Sequence, residues 1–146
     1  MKWVQKSFDE LTTTELYGIL RLRTEIFVVE QDCVYQDIDN KDQKAHHIFA
    51  VDQNEIVAYA RIFKAGDYFQ EASIGRVIVS DKRRGKGLAR SMMLQAIAYI
   101  TEHFETKSIR ISAQTYLEEF YAGLGFKAVG MSYLEDGLPH IGMVRN

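Results

Sequence analysis

The chain has 146 residues, of which 47% are hydrophobic and 26% charged, with ten Gly and one Pro. This composition is that of a globular protein and excludes collagen-like and Pro-rich disordered classes. The length fits one domain spanning residues 1–146. Basic residues number 18 and acidic residues 20, so the net charge is −2 and we expect no nucleic-acid partner.

Cysteine usage and the amino-terminal segment bear on the compartment. Cys33 is the only cysteine, so no intramolecular disulfide or cysteine-based zinc site can form. Residues 1–9 are interrupted by charges and lack the apolar core of a signal peptide. No apolar run approaches the ~20 residues of a membrane span. We therefore expect a soluble, cytoplasmic protein without a membrane partner.

The first half of the chain shows strand, helix and hairpin patterns. Residues 3–8 favour a strand, and apolar spacing predicts one helix over 13–29. The polar stretch 31–44 is predicted to be a mobile connection or a short helix over a site. Three β-rich runs, separated by turn residues, predict an antiparallel meander: 47–51, 56–63 and 72–79.

The second half adds a long helix and three strands. Apolar residues recur every four positions from 87 to 104 and predict an amphipathic helix. A strand at 108–113, a short helix at 117–122, a strand at 126–131 and a last strand at 141–144 follow. This order predicts an α/β fold with a mixed, mostly antiparallel sheet. An exposed last strand would permit a homodimer through the sheet edge.

Positive charge is concentrated in Lys82-Arg83-Arg84-Gly85-Lys86-Gly87-Leu88-Ala89-Arg90, which holds five basic residues and no acidic one. The rest of the chain carries 13 basic and 20 acidic residues. The segment joins a predicted strand to a helix start, where free N–H groups and the helix dipole favour an anion. We predict a phosphate or pyrophosphate site with amide donors from Gly85 to Ala89. A solvated basic turn is the alternative.

Motif spacing narrows the choice of ligand. Gly87 is followed by Leu88 instead of Lys, which excludes a P-loop. The pattern Gly85-x-Gly87-x-x-Arg90 matches the dinucleotide fingerprint only in part, because Arg90 stands where a third small residue is needed. Glu105 precedes the next predicted strand, whereas a ribose-binding acid should follow it. A Rossmann-type site is therefore disfavoured.

Two motifs resemble the signatures of the GNAT superfamily of N-acetyltransferases. Arg84-x-x-Gly87-x-Ala89, directly after Val77-Ile78-Val79, resembles the family's acetyl-CoA pyrophosphate motif. Gln114 and the run Phe120-Tyr121-Ala122-Gly123-Leu124-Gly125-Phe126 resemble its second signature. The segments 27–33 and 135–141 resemble the small bacterial ElaA-like branch, so the similarity spans essentially the whole chain.

The resemblance implies a GNAT-type fold, in which a twisted sheet flanked by helices splays into a V. It implies direct transfer of an acetyl group from the co-substrate acetyl-CoA to an amine of a small molecule or peptide. The cofactor-binding residues would then be Val77, Ile78, Val79, Arg84, Gly85, Lys86, Gly87, Leu88, Ala89, Arg90 and Gln114. Tyr121 matches the family's general acid, and a main-chain N–H near Val77 would stabilise the oxyanion.

The general base and the acceptor site are less clearly marked. His140 is the first candidate for the base, because imidazole is the side chain best suited to proton transfer at neutral pH, and its rivals are Glu30, Glu71, Asp39 and His46. Arg23, Glu30 and Arg76 are candidates for substrate binding. A guanidinium suits an anionic group on the acceptor, and a surface salt bridge is the alternative for both arginines. Acceptor specificity is expected in 25–46 and 133–140.

Three alternatives to acetyl transfer stay open from sequence. The protein could use another acyl-CoA donor, as the related acyl-homoserine-lactone synthases do. It could be a non-catalytic acetyl-CoA-binding module, although Tyr121 argues against that. An RNA-binding role for the basic loop would require steep salt dependence, and the negative charge elsewhere disfavours it.

We expect no bound metal. Asp37-x-Asp39-x-x-Asp42 lacks the Gly and the final Glu of a calcium loop and is predicted to be a solvated acidic loop. His46 and His47 are neighbours in a predicted strand, so their side chains should point to opposite faces and cannot share one ion. Cys33 is interpreted as a structural or substrate-side residue.

Overall fold

Seven strands form one sheet in the computed structural model, which describes all 146 residues. The sheet has the order β1-β2-β3-β4-β5-β7-β6, and only the β4–β5 pair is parallel. The strands are β1 (Lys2–Ser7), β2 (His46–Asp52), β3 (Glu55–Phe63), β4 (Ala72–Val79), β5 (Ile109–Gln114), β6 (Lys127–Glu135) and β7 (Leu138–Arg145). The mixed, mostly antiparallel α/β fold predicted from sequence is confirmed.

Three α-helices flank the sheet: α1 (Thr13–Arg23), α2 (Leu88–His103) and α3 (Glu118–Ala122). Thr12 caps α1 by accepting a hydrogen bond from the Glu15 amide at 3.0 Å, and the Glu15 carboxylate accepts one from the Thr12 amide at 2.8 Å. Short 3-10 turns occupy Phe8–Glu10, Asp42–Lys44, Asp81–Arg83 and Thr115–Leu117. No helix is both long enough and apolar enough to cross a membrane.

The helix predicted over 13–29 is only partly correct. It is α-helical to Arg23 and continues as a π-helical segment over Thr24–Glu30. Ile26 is buried in the apolar cluster under α1, and Phe27, packed against the same cluster, also lines the cleft. Such π-helical turns are common where a helix must present side chains to a functional site.

Two apolar clusters hold the layers together on opposite faces of the sheet. On one face, α2 buries Met92, Met93 and Ile97 against the sheet. On the other face, Ile19 and Leu22 of α1 pack on the sheet. Each such buried side chain contributes ~1.5–3 kcal/mol of transfer free energy. The predicted periodicity of the long helix and the antiparallel meander β2-β3-β4 are confirmed.

The V-shaped opening arises where β4 leaves β5. The two strands pair only at Ala72–Ile109 and Ser73–Arg110. Beyond this point β4 carries a bulge against β3, and Arg76 takes the left-handed backbone conformation with φ 51°. The bulge and the divergence leave main-chain groups of β4 facing the opening. The splayed sheet that the resemblance implied is therefore present.

The position of the last strand differs from the prediction. A two-residue turn at Asp136 and Gly137, both with positive φ, makes β6 and β7 a tight hairpin. Because β7 also pairs with β5 along its length, it lies inside the sheet and β6 forms the edge. Met131 and Leu134 of β6 are 88% and 73% exposed. The two edges of the sheet are β1 and β6, so the prediction of an exposed last strand is wrong.

Candidate active site

Two cavities lie at the splay and share part of their walls. The basic-loop cavity, of about 500 Å³, runs from the π-helical segment past β4 to the start of α2. The hairpin cavity, of about 110 Å³, lies under the β6–β7 hairpin and the loop 64–71. Both are lined by Phe27, Gln31, Val77, Gln114, Leu117 and Tyr121. A group bound in one cavity can therefore reach a group bound in the other.

The basic-loop cavity ends at the uncapped amino terminus of α2. Gly85 and Gly87 both take left-handed backbone conformations, with φ 77° and 78°. These angles suit glycine. Gly87 is the N-cap residue of α2 and has no side chain, so no side chain caps the helix. Its first amides are therefore free to bind an anion.

Most of the predicted cofactor residues line this cavity. They are Val77, Ile78, Val79, Arg84, Gly85, Gly87, Leu88, Ala89, Arg90 and Gln114. Lys86 does not line it, whereas Arg83, which sequence reasoning did not single out, does. Arg83 is held by Asp52 at 2.9 Å.

Glu30 lies in the basic-loop cavity and not in the hairpin cavity. Its carboxylate accepts a 2.7 Å hydrogen bond from Arg84, whose Nε donates to the Val79 carbonyl at 3.0 Å. The pair links the π-helical segment to the basic loop across the cavity mouth. Glu30 therefore lies among the residues predicted to bind the cofactor and apart from Arg76, which lines the hairpin cavity.

Tyr121 lies where the two cavities meet. Its side chain is only 6% exposed, and its ring packs edge-on against Phe120 and Phe126 at 5.1 and 6.1 Å between centroids. Burial raises the pKa of the Tyr121 phenol above its ordinary value, so the group is protonated at neutral pH. The structure thus presents a protonated phenol at the junction.

His140 lies on β7 and lines the hairpin cavity. Its Nδ1 is 2.8 Å from the Leu138 carbonyl, which can only accept, so Nδ1 carries the proton in the neutral ring. The other nitrogen, Nε2, then has a free lone pair and lies 3.5 Å from Oε2 of Glu135. The ring also stacks on Tyr133 with 6.3 Å between centroids. This arrangement gives His140 a fixed orientation and a basic nitrogen.

None of the other candidates for the general base lines the hairpin cavity. Glu71 lies 3.6 Å from Arg110, and Asp39 is held by Arg61. His46 packs against Tyr99, 5.4 Å between ring centroids. Of the five residues considered from sequence, only His140 lines the hairpin cavity, whereas Glu30 lines the basic-loop cavity.

The loop 31–44 is not the solvated acidic loop predicted from sequence. Asp37 and Asp42 are each 4% exposed and form ion pairs within the protein. Three aspartates of this loop bind three arginines from α1, β3 and β4; we call this the Arg–Asp cluster, and it consists of Arg23, Arg61, Arg76, Asp37, Asp39 and Asp42. The cluster fixes the loop at the edge of the hairpin cavity.

Arg23 is enclosed in this cluster and lines neither cavity. Its guanidinium is 2.9 Å from Asp37 and 2.8 Å from Asp42, and the side chain has no exposed surface. A substrate cannot reach it, so the predicted substrate contact and the alternative of a surface salt bridge are both replaced by a buried ion pair.

Arg76 belongs to the same cluster but also lines the hairpin cavity. Its Nε donates to Asp37 at 2.8 Å, and its guanidinium lies 5.8 Å from the ring centre of Phe27. These contacts stabilise a residue with an unfavourable positive φ at the β4 bulge. Arg76 therefore lies in the wall of the hairpin cavity, and its role in substrate binding stays a prediction.

The charges of the Arg–Asp cluster balance. His47 adjoins it, with Nε2 3.0 Å from the Asp42 carbonyl and Nδ1 against the Tyr59 hydroxyl. Burial lowers the pKa of His47 to about 4, so its ring is neutral at physiological pH. The three positive and three negative side chains therefore leave no net charge beside the cavity.

Breaking this balance should destabilise the protein. Asp37→Asn removes the charge that faces both Arg23 and Arg76, and we expect the free energy of unfolding to fall by about 3 kcal/mol, because the buried guanidinium of Arg23 and the partly buried one of Arg76 each lose a partner. Urea unfolding measures the change, and Asp9→Asn on the exposed surface is the control. A loss below about 0.5 kcal/mol, the usual size for surface substitutions, would contradict the role of the cluster.

Comparison with known proteins agrees with this geometry. The family model for the acetyltransferase (GNAT) domain matches residues 12–146. The chain belongs to the GNAT acetyltransferase family and is an acyltransferase.

Two relatives are similar over their whole length. The protein ElaA of Escherichia coli K12 is 42% identical over 99% of this chain and 96% of its own, and its crystal structure superposes with a TM-score of 0.94 over 100% of both chains. An acyl-CoA N-acyltransferase from Pseudomonas aeruginosa is 40% identical and superposes with a TM-score of 0.92, again over 100% of both chains. The family resemblance read from the two motifs, including its ElaA-like branch, is confirmed.

Three residues of the hairpin cavity were not singled out from sequence. Glu135 and Asp136 are the acidic residues that line it, and they were covered only by the segment 133–140 in which acceptor specificity was expected. Arg61 also lines the cavity. The sequence feature that could have located Glu135 is the Asp136-Gly137 turn. A two-residue hairpin turn there pairs Glu135 with Leu138 and Tyr133 with His140. That register brings Glu135 to the same end of the hairpin as His140.

Proposed function

We propose that this protein transfers the acetyl group of acetyl-CoA directly to an amine. The observation that carries the proposal is the meeting of the two cavities at Val77, Gln114 and Tyr121. One cavity leads to a helix amino terminus suited to a pyrophosphate, and the other holds a basic nitrogen. A donor and an acceptor entering from opposite sides would place thioester and amine at the shared wall.

The basic-loop cavity is assigned to the donor. The amides from Gly85 to Ala89 would hold the pyrophosphate, with Arg84 and Arg90 adding positive charge. Main-chain groups of 77–79, freed by the splay, would bind the pantetheine arm together with Gln114. Lys86 lies outside the lining and would contribute charge only at a distance.

The hairpin cavity is assigned to the amine. In its neutral form His140 can accept a proton at Nε2, which frees the lone pair of the amine for attack on the thioester carbon. The N–H of Val77 would stabilise the oxyanion that forms. When the C–S bond breaks, Tyr121 donates its phenolic proton to the departing sulfur. Burial raises the pKa of Tyr121 and also disfavours a charged thiolate at the same place. The proton affinities of the phenol and of the departing sulfur therefore rise together.

Calorimetric titration tests the donor. We expect acetyl-CoA to bind with micromolar affinity, and NAD and ATP to bind far more weakly, because neither carries the pantetheine arm that the basic-loop cavity would hold. Release of thiol with a panel of amines then measures transfer, and longer acyl-CoA donors test the choice of the acetyl group. Absence of acetyl-CoA binding, or equal binding of NAD, would overturn the proposal.

A further inference from the structure

Two hydrogen-bond acceptors in the hairpin cavity face one another without satisfying one another. His140 Nε2 and Glu135 Oε2 are 3.5 Å apart, beyond the ~2.7–3.2 Å of a good N–H···O bond. With the proton of the neutral ring on Nδ1, Nε2 offers only a lone pair, and the carboxylate likewise only accepts. A donor placed between them could bond to both.

Both acceptors are held in place by hydrogen bonds with other residues of the hairpin and of β5. Ser112 on β5 donates to Oε1 of Glu135 at 3.2 Å and also contacts the Tyr133 hydroxyl. The Leu138 carbonyl fixes the other nitrogen of His140 at 2.8 Å. The free atoms, Oε2 and Nε2, are therefore oriented by contacts on their far sides. Such preorganisation is what a binding site for a small group requires.

The charge of the cavity favours a cation. Arg61 and Arg76 in its wall are balanced by the aspartates of the Arg–Asp cluster. Glu135 and Asp136 have no arginine or lysine within salt-bridge distance. Aromatic rings make up much of the remaining wall and add no charge to it: Phe27, Tyr35, Phe63, Tyr68 and Phe69.

We propose that Glu135 Oε2 and His140 Nε2 form a binding site for the ammonium group of the acceptor, whose class is a basic aliphatic amine. The inference rests on the proposed function and specifies its substrate. Aliphatic amines are protonated at neutral pH, with pKa values of ~10. One ammonium nitrogen can donate to both atoms at about 2.9 Å when these lie 3.5 Å apart.

The same pair of atoms then prepares the nucleophile. One ammonium N–H bond breaks and its proton moves to Nε2 of His140, while the electron pair stays on the amine nitrogen. A second N–H remains bonded to Glu135, which keeps the amine in place and stabilises the imidazolium beside it. After attack on the thioester, the amide nitrogen loses one further proton to solvent. Glu135 acts here as a binding and positioning residue.

The test compares a charged and an uncharged acceptor in Glu135→Gln. This variant keeps an oxygen for the Ser112 hydrogen bond and removes the negative charge. Benzylamine is an ammonium ion at pH 7. With this acceptor we expect kcat/KM to fall ~10–100-fold, mainly through a higher KM, because this is the effect of losing one hydrogen bond to a charged group. Aniline is uncharged at pH 7 and makes no ammonium–carboxylate bond to Glu135. With this acceptor we therefore expect kcat/KM to change by no more than about threefold. Glu102→Gln on the exposed face of α2 is the control for a change of net charge.

Binding without turnover separates this inference from the proposed function. Saturation-transfer NMR of benzylamine against benzyl alcohol reports on the ammonium site even in a protein that transfers no acetyl group. Wild type should prefer benzylamine, and Glu135→Gln should lose that preference. Equal losses with benzylamine and aniline, or an unchanged preference in the variant, would overturn the site. Failure of acetyl-CoA to bind would instead refute the donor assignment. The NMR comparison would still decide whether the ammonium site exists.

Discussion

Tyr121→Phe is expected to lower turnover about 100-fold or more while leaving the affinity for acetyl-CoA within about twofold of wild type. The substitution removes only the phenolic oxygen. The ring keeps its edge-on contacts with Phe120 and Phe126, so the walls of both cavities stay in place. The loss should therefore appear in kcat and not in donor binding.

The physical reason is the position of the hydroxyl. Tyr121 lines both cavities, and burial raises its pKa so that it carries a proton throughout the physiological range. A thiolate leaving into this enclosed place needs a proton, and Phe has none to give. Steady-state kinetics by thiol release measures kcat, and calorimetry measures donor affinity.

Tyr17→Phe is the matched control for this experiment. Tyr17 lies on α1, is 74% exposed and lines neither cavity, so the loss of its hydroxyl should change neither constant. If Tyr121→Phe also turns over at the wild-type rate, the phenol is not the proton donor and another group must protonate the sulfur.

Gly87→Glu should weaken acetyl-CoA binding by more than about 100-fold, because a carboxylate would stand where the pyrophosphate is proposed to bind. Gly87 is the residue before the first turn of α2 and has φ 78°. A side chain there adds backbone strain of about 1 kcal/mol, and its charge opposes a second anion at the free amides. Calorimetry with acetyl-CoA measures the change.

Two further variants separate charge from backbone strain. Gly87→Ala introduces a Cβ into open space at the same φ, so it tests the strain alone and should cost about tenfold or less in affinity. Gly130→Glu places the same side chain at φ 73° on the exposed edge strand β6, outside both cavities, and should leave binding unchanged. Wild-type affinity in Gly87→Glu would refute the pyrophosphate site.

Local patterns account for the parts of the fold that sequence predicted well. The apolar rows of α2 repeat every turn, and the β-rich runs of the meander are separated by turn residues. The glycines at 85 and 87 precede a helix start, which is the combination that presents free amides. Each of these features depends on residues a few positions apart, so spacing is sufficient to find it.

The Arg–Asp cluster beside the hairpin cavity depends on residues far apart in the chain. Arg23 and Arg76 lie 14 and 39 residues from Asp37, so no spacing rule connects them, and the acidic loop looked solvated. The ion pairs form because α1, β3 and β4 converge on that loop. Burial then makes the pairing obligatory, since an isolated charge there would be costly.

The sequence by itself determined the family, the strand and helix order, and the glycine-rich loop before α2, because these follow from short motifs and local periodicity. Only the tertiary structure decided that β7 inserts between β5 and β6, and that Glu135 comes to lie 3.5 Å from His140. Strand pairing across the sheet and the bulge in β4 place these groups. Such pairing is selected by the packing of the whole sheet, which no single segment encodes.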